Sequence, residues 1–214
     1  GKYFLVINAG NIDKDWAHLM NEAKNFDVKL TNVSDKYAAI AVQGPESKKI
    51  LMTLSGGRQL TPENVKNALN SLTMEGKPVR IAKTGYTGEP IGYELYCNSE
   101  DARYFWDRLI ELGAKPTALG ARDTTRMEAA LPLYGHEMGE CEMGGEIQIY
   151  AVPLAKFAVS FDEAKGDFIG REPLKKQFEA LKKSMNGDYS SIEDLPYRIQ
   201  TIYLEGNGGL RKGF

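Results

Sequence analysis

Hydrophobic and polar positions along the chain follow two rhythms, one strand-like and one helical, and the switches between them mark short elements. Residues 3–7, Tyr-Phe-Leu-Val-Ile, form a continuous apolar run and predict a buried strand that ends at Asn8-Ala-Gly-Asn11. Behind Asp13, residues Trp16, Leu19, Met20, Ala23 and Phe26 recur at helical spacing and predict a helix to about residue 25. Residues 27–33 and 37–42 predict two strands joined as a hairpin around Ser34-Asp35-Lys36. Gln43-Gly-Pro-Glu46 predicts the next helix start, with Pro45 where no amide donor is needed, and Gly56-Gly57 its end. Thr61-Pro62 predicts another short helix. Residues 71–74 and 77–82 predict a hairpin through Glu75-Gly76, and residues 93–97 a further strand. Ser99 opens a helix to Leu112 whose expected buried stripe is Ala102, Phe105, Trp106, Leu109 and Ile110; Gly113 stops it. Residues 121–130 predict a helix, 137–146 a loop, 147–154 and 156–161 extended chain, and 172–183 a last helix.

Strands therefore come in meanders, with helices between groups of strands. That is the signature of an α+β fold with mainly antiparallel sheets and flanking helices, not of regular βαβ winding. Residues 184–197 are polar and read as a linker, and 198–204 as a strand opening a further domain. The chain starts at Gly1-Lys2 without an initiator methionine and stops just after that last strand, which predicts a piece of a longer protein.

Composition narrows the partners. A net charge of −2 and a pI near 5.8 give no basic footprint, so nucleic acid is not expected. No apolar run reaches the length of a membrane span. Two cysteines, Cys97 and Cys141, and two histidines make a disulfide scaffold or a Cys/His metal centre improbable, and predict reduced thiols in a cytosol or organelle matrix. Dinucleotide, P-loop, serine-hydrolase, zinc-protease and CxxC motifs are all missing.

Chemistry concentrates around Thr84-Gly-Tyr-Thr-Gly-Glu89 and the Tyr93-Glu94-Leu95 step behind it. Glycines at 85, 88 and 92 permit positive φ or close approach to a ligand. Glu94, among Tyr93, Leu95 and Tyr96, either faces solvent on the alternate strand positions or binds something brought in from outside. In Gly120-Ala-Arg-Asp-Thr-Thr-Arg-Met-Glu128, Arg122 and Arg126 share a helix face. They belong to a surface salt-bridge network, or the planar fork of Arg122 grips a carboxylate or heterocycle edge. Asn8 either starts a turn or presents its amide to a ligand. His136 has no catalytic partner at useful spacing and is expected to be structural, while Cys97, Trp16 and Trp106 are expected in the core.

Taken in order, Val6–Asp15, Ala41-Val-Gln-Gly-Pro45, Thr84–Glu89, Gly120-Ala-Arg-Asp-Thr124, Arg126-Met-Glu-Ala129, Leu131–Glu137 and Asp167-Phe-Ile-Gly-Arg171 resemble the glycine cleavage system T-protein family, the aminomethyltransferases. The resemblance covers about residues 3–175. It implies a folate-binding region over 1–183, built from two interleaved α+β subdomains, the linker at 184–197, and the start of a C-terminal β-barrel at 198–214. It implies transfer of an aminomethyl unit from the lipoyl arm of the partner H-protein to tetrahydrofolate, giving 5,10-methylenetetrahydrofolate and ammonia. By motif position Glu94 is the pterin-binding carboxylate, Arg122 a ligand-binding arginine, Tyr86 an aromatic lining the folate pocket and Asn8 a polar contact beside it. The family's catalytic aspartate lies before the position of Tyr3, so no catalytic residue is assigned in this chain. The resemblance further implies a bacterial cytoplasm ahead of a mitochondrial matrix, with no membrane partner.

Two departures and two alternatives accompany it. Gly88-Glu-Pro-Ile-Gly92 is one residue longer than the family's Gly-Glu-Asp-Gly. Residues 137–156 match only loosely. A non-catalytic folate-binding module of the same superfamily would carry a cysteine in the stretch that here reads Lys83-Thr-Gly-Tyr-Thr-Gly-Glu89, and this chain has none there. The folate domain of a sarcosine- or dimethylglycine-oxidising enzyme is the other alternative.

Overall fold

The computed structural model describes residues 1–63, 65, 67–140, 145–152, 154–200 and 205. The chain divides into two compact units, Gly1–Leu131 and Pro132–Phe214.

The first unit is an antiparallel sheet with two of its helices packed on one face. Its elements are α1 (Ile12–Glu22), β1 (Tyr37–Gln43), α2 (Ser47–Leu54), β2 (Leu69–Met74), β3 (Lys77–Ala82), β4 (Gly92–Asn98), α3 (Ala102–Glu111) and α4 (Leu119–Glu128). The strand order is β1-β4-β3-β2, so β4, last in sequence, lies between β1 and β3. Strand alternation sorts the side chains. Val42, Val79, Ile81, Tyr93, Leu95 and Cys97 face a core with Ile50, Leu51 and Leu54 of α2 and Phe105 and Leu109 of α3. The expected core position of Cys97 is thus met, and burial pushes its thiol pKa up. The opposite face carries Gln43, Ala41 and Ala39 on β1, Glu94 and Tyr96 on β4, and Ala82 and Arg80 on β3.

A charged clamp locks the β2–β3 turn to α3. Glu75 and Gly76 take φ of 47° and 82°, as the tight two-residue turn requires. The Arg108 guanidinium donates to both Glu75 oxygens, at 2.8 and 3.0 Å, and the Tyr104 hydroxyl donates to Oε2 at 2.7 Å. These donors hold the Glu75 pKa below its ordinary value. Lys77 pairs with the buried Asp101 alongside.

Several expectations change. Residues 3–7 form no strand; Tyr3 is 92% exposed, and only Phe4 docks, edge-on to the rings of Tyr37 and Tyr96. An apolar run becomes a buried strand only where a ladder takes up its amides, and the described sheet pairs this one with nothing. Residues 27–33 are irregular rather than the first arm of a hairpin. There the Asn32 side chain accepts from Ser34 N–H and Oγ–H at 3.0 and 2.7 Å, feeding the 3-10 turn Ser34–Lys36, and β1 pairs with β4 instead. No helix follows Thr61 among the described residues, where Asn67 takes a φ of 53° that a helix does not use. On α3, Trp106 and Ile110 are 43% and 40% exposed, so the buried stripe narrows to Phe105 and Leu109.

In the second unit a short ladder joins β5 (Gly139–Glu140) to β6 (Glu146–Ile147), followed by α5 (Ala155–Ala158) and α6 (Arg171–Met185). Of the stretches expected extended, 147–154 and 156–161, Ile147 lies in β6, while Ile149–Ala151 form a 3-10 turn and Ala155–Ala158 form α5. Local bonds such as Ala151 N–H to Gln148 O and Val159 N–H to Ala155 O satisfy their backbone, so no ladder is needed. Tyr150, Ala155, Ala180 and Leu195 form this unit's core, with the rings of Phe161 and Phe178 packed on Tyr150. Ile199 N–H bonds to Ala151 O, and the expected strand beyond it and the start of the barrel fall mostly outside the described residues. The α+β class with antiparallel sheet holds.

Candidate functional site

The face of the first sheet opposite its core carries Glu94, and Gln43 on the same face bonds to Thr84 and Thr87 of the loop that carries Tyr86. Glu94 sits on the inner strand β4, in register with Ala41 on one side and Ala82 on the other. Two methyl groups flank the carboxylate, so the sheet leaves an open shelf around it. The Tyr96 hydroxyl, two residues along on the same face, donates to Glu94 Oε2 at 2.9 Å. Burial, then the bond to Glu94 and its charge, raises the Tyr96 pKa well above the tyrosine range. Tyr96 thus stays a neutral donor at every physiological pH. Among the described residues Glu94 Oε1 has no hydrogen-bond partner, so it remains free to accept one. Beyond Tyr96 the shelf ends in a cationic and aromatic edge: the Arg80 guanidinium lies 5.0 Å from the Phe4 ring and 5.2 Å from the Tyr37 ring.

The other end of the shelf is the 84–91 loop that carries Tyr86, itself half-buried. Gly88 takes a φ of +84°, and a Cβ there would meet the Ala129 Cβ at 2.4 Å. The loop therefore rests directly on the far end of α4. That end is fixed from inside by Arg126, whose side chain is 2% exposed: its Nε donates to Asp123 Oδ1 at 2.7 Å and its Nη1 to the Leu131 carbonyl at 3.1 Å. Arg122 lies one turn earlier and is exposed; among the described residues its guanidinium has no ion-pair partner. The two arginines that share a helix face have separated, one into the structure and one outward.

Glu94 shares a sheet face with Gln43, whose amide bonds the loop of Tyr86, and Arg122 lies on the helix against which that loop rests. No hydrogen bond or ion pair joins Arg122 to Glu94 among the described residues. Asn8 is exposed at the start of the turn Ala9–Asn11, where its carbonyl accepts from Asn11 N–H at 3.0 Å and its side chain makes no capping bond. Three contributors escaped the sequence reading. Tyr96 was findable, since strand positions two apart share a face. Ala41 and Ala82 as neighbours of Glu94 were not, because only the register reveals them.

The chain matches the family model of the GCVT N-terminal domain over residues 1–151. It belongs to this family. Within it, relatives named aminomethyltransferase are similar over most of the chain. That of Staphylococcus carnosus is 42% identical over 181 residues, covering 83% of this chain and 47% of its own length. That of Alkaliphilus metalliredigens is 37% identical over 210 residues, 95% of this chain and 54% of its own. That of Thermus thermophilus is 46% identical over 139 residues, 65% of this chain and 39% of its own. The chain spans about half the length of the curated relatives it matches. Among the described residues of this GCVT-domain chain, no helix is long and apolar enough to cross a membrane.

Proposed function

We propose that the chain is the folate-binding part of an aminomethyltransferase, a T-protein of glycine cleavage. The whole protein would move an aminomethyl unit from the lipoyl arm of H-protein to tetrahydrofolate, giving 5,10-methylenetetrahydrofolate and ammonia. The single observation that carries this reading is Glu94: a half-buried carboxylate between two alanines, with one oxygen held by Tyr96 and the other without a hydrogen-bond partner among the described residues.

The residues present suit a flat ring rich in N–H donors. Glu94 offers a charge-assisted acceptor of fixed orientation. Ala41 and Ala82 leave the thickness of a ring above the sheet. Tyr86 adds an aromatic surface at the loop end, and Arg122, a planar fork without an ion-pair partner among the described residues, suits an anionic or carbonyl edge of the same ligand. Asn8 supplies a further amide on this reading. Tetrahydrofolate would bring the amine that accepts the one-carbon unit. The chain's own share is to bind and orient it, and positioning alone is a large part of such catalysis. The region 1–183 is proposed as the folate-binding part, 184–197 as linker and 198–214 as the start of a barrel. We assign no proton-transfer residue, since the family's aspartate falls before the position of Tyr3.

The test is ammonia release from aminomethyl-loaded, lipoylated H-protein by the whole protein, with and without tetrahydrofolate. Release that depends on both is expected, with little or no turnover from residues 1–214 alone. Release unaffected by omitting tetrahydrofolate would overturn the assignment.

A further inference from the structure

We infer that the Gln43 side-chain amide is the positioning element of the Glu94 shelf, setting where the Tyr86 loop lies and so how a flat heterocycle is received. The inference rests on the folate reading above and adds to it a residue outside the ligand contacts.

Gln43 is the last residue of β1 and pairs with Gly92, two register positions beyond Ala41–Glu94 and so on the same face. Its Nε2 donates to the Thr84 carbonyl at 3.3 Å and to the Tyr93 carbonyl at 2.9 Å. Its Oε1 accepts from the Thr87 hydroxyl at 3.3 Å. One planar group therefore ties the start of the loop, its middle and the entry to β4. The donor and acceptor pattern demands an amide: a carboxylate would set oxygen against two carbonyl oxygens, and an ammonium could not accept from Thr87.

The glycines around it are shaped to this group. A Cβ on Gly85 would lie 1.8 Å from Gln43 Oε1, and one on Gly92 2.2 Å from it. The amide slots between two bare backbone segments, which explains both glycines without invoking positive φ. Gln43 is half-buried and stands outside the hydrophobic core of the unit. Its loss should therefore free the loop rather than unfold the sheet. Because Tyr86 sits between Thr84 and Thr87, and Glu94 directly follows Tyr93, the three bonds fix both proposed ligand groups relative to each other.

The experiment uses the whole protein and three variants, Gln43→Ala, Gly85→Ala and the double. Two readouts are taken: affinity for 5-formyltetrahydrofolate, a stable reduced folate, and hydrogen exchange of residues 84–89 without any ligand. Gln43→Ala should weaken binding about tenfold or more and speed loop exchange, with global unfolding little changed. Gly85→Ala should do the same, since its methyl evicts the amide. Combined, the two should be no worse than Gln43→Ala alone, because each removes the same interaction. Losses that multiply in the double variant would overturn the inference. So would wild-type exchange and affinity in Gln43→Ala. If the unmodified protein takes up no reduced folate, the ligand reading fails, and the exchange arm alone decides whether Gln43 sets the loop.

Discussion

The replacement Glu94→Gln tests the site most sharply, because the structure fixes what each end of the new amide would meet. The Tyr96 hydroxyl now donates to Oε2 at 2.9 Å, and Oε1 has no partner among the described residues. An amide has one acceptor oxygen where the carboxylate has two. If that oxygen stays with Tyr96, the NH2 group faces the ligand and opposes the N–H donors of a pterin edge. If it turns to the ligand, the NH2 group meets Tyr96, whose hydroxyl must rotate to accept. Either way one charge-assisted hydrogen bond is lost, a net cost of about 1.5–3 kcal/mol. That corresponds to roughly 10- to 150-fold weaker binding. Glu94 is only half-buried and isosteric with glutamine, so the melting temperature should move by less than about 2 °C. The assay is titration of the whole protein with 5-formyltetrahydrofolate by intrinsic fluorescence, alongside thermal unfolding. Unchanged affinity in a normally folded Glu94→Gln protein would refute the pterin-carboxylate assignment, whatever the family to which the chain belongs.

Two further tests address the neighbours of Glu94. Ala82→Leu places a branched side chain beside the carboxylate on the half-buried face and should block reduced-folate binding by about tenfold or more, with stability within about 1 kcal/mol of wild type; binding at wild-type strength would mean that the ring does not lie on this row. Tyr96→Phe tests the buried phenol. Burial and Glu94 raise its folded pKa, so its contribution to stability is complete below the ordinary tyrosine range and is lost as pH rises through the raised value. The groups facing it are Glu94 on its own strand and Arg80 across on β3, and both remain in the variant. Melting temperature followed from about pH 8 to about pH 12 should fall less steeply in Tyr96→Phe than in wild type, and equal slopes would refute the argument.

The sheet was legible where local chemistry and packing agree. The β2–β3 hairpin could be placed because Glu75-Gly76 offers the two positive-φ residues of a tight turn between apolar arms. The helix ended by Gly56 was placed for a similar local reason, since that glycine adopts a φ of +67°. What the sequence hid was non-local. Nothing in residues 27–33 announces that β1 will take β4, more than fifty residues later, as its partner instead of them. The β propensity of residues 3–7 and 27–33 is real, but propensity describes fitness for a pleated surface, not the presence of one. Trp106 differs for another reason: helical spacing identifies a broad apolar arc, and only the contact of α3 with β1 shows which part of it is covered. The candidate site followed the same division. Glu94, Tyr86 and the glycines between them stood out by type and spacing, whereas Gln43, Ala41 and Ala82 became visible only through register.

Arg122 and Arg126 show how that division bears on function. They stand four residues apart on one helix, and helical spacing alone gives no reason to treat them differently. Packing does. Arg126 is enclosed, with Asp123 and the Leu131 carbonyl as partners, and removing either arginine's charge would therefore have unlike consequences. A buried paired arginine is part of the scaffold: it fixes the end of α4 on which Gly88 and the Tyr86 loop rest. Arg122, exposed and without an ion-pair partner among the described residues, adds nothing of that kind to the fold. On the proposed reading its planar fork meets a carbonyl or carboxylate edge of the ligand, which it suits better than a lysine would. On that reading the helix holds the loop through one arginine and offers the other. That is the arrangement expected if α4 serves the site twice, once as support and once as a contact.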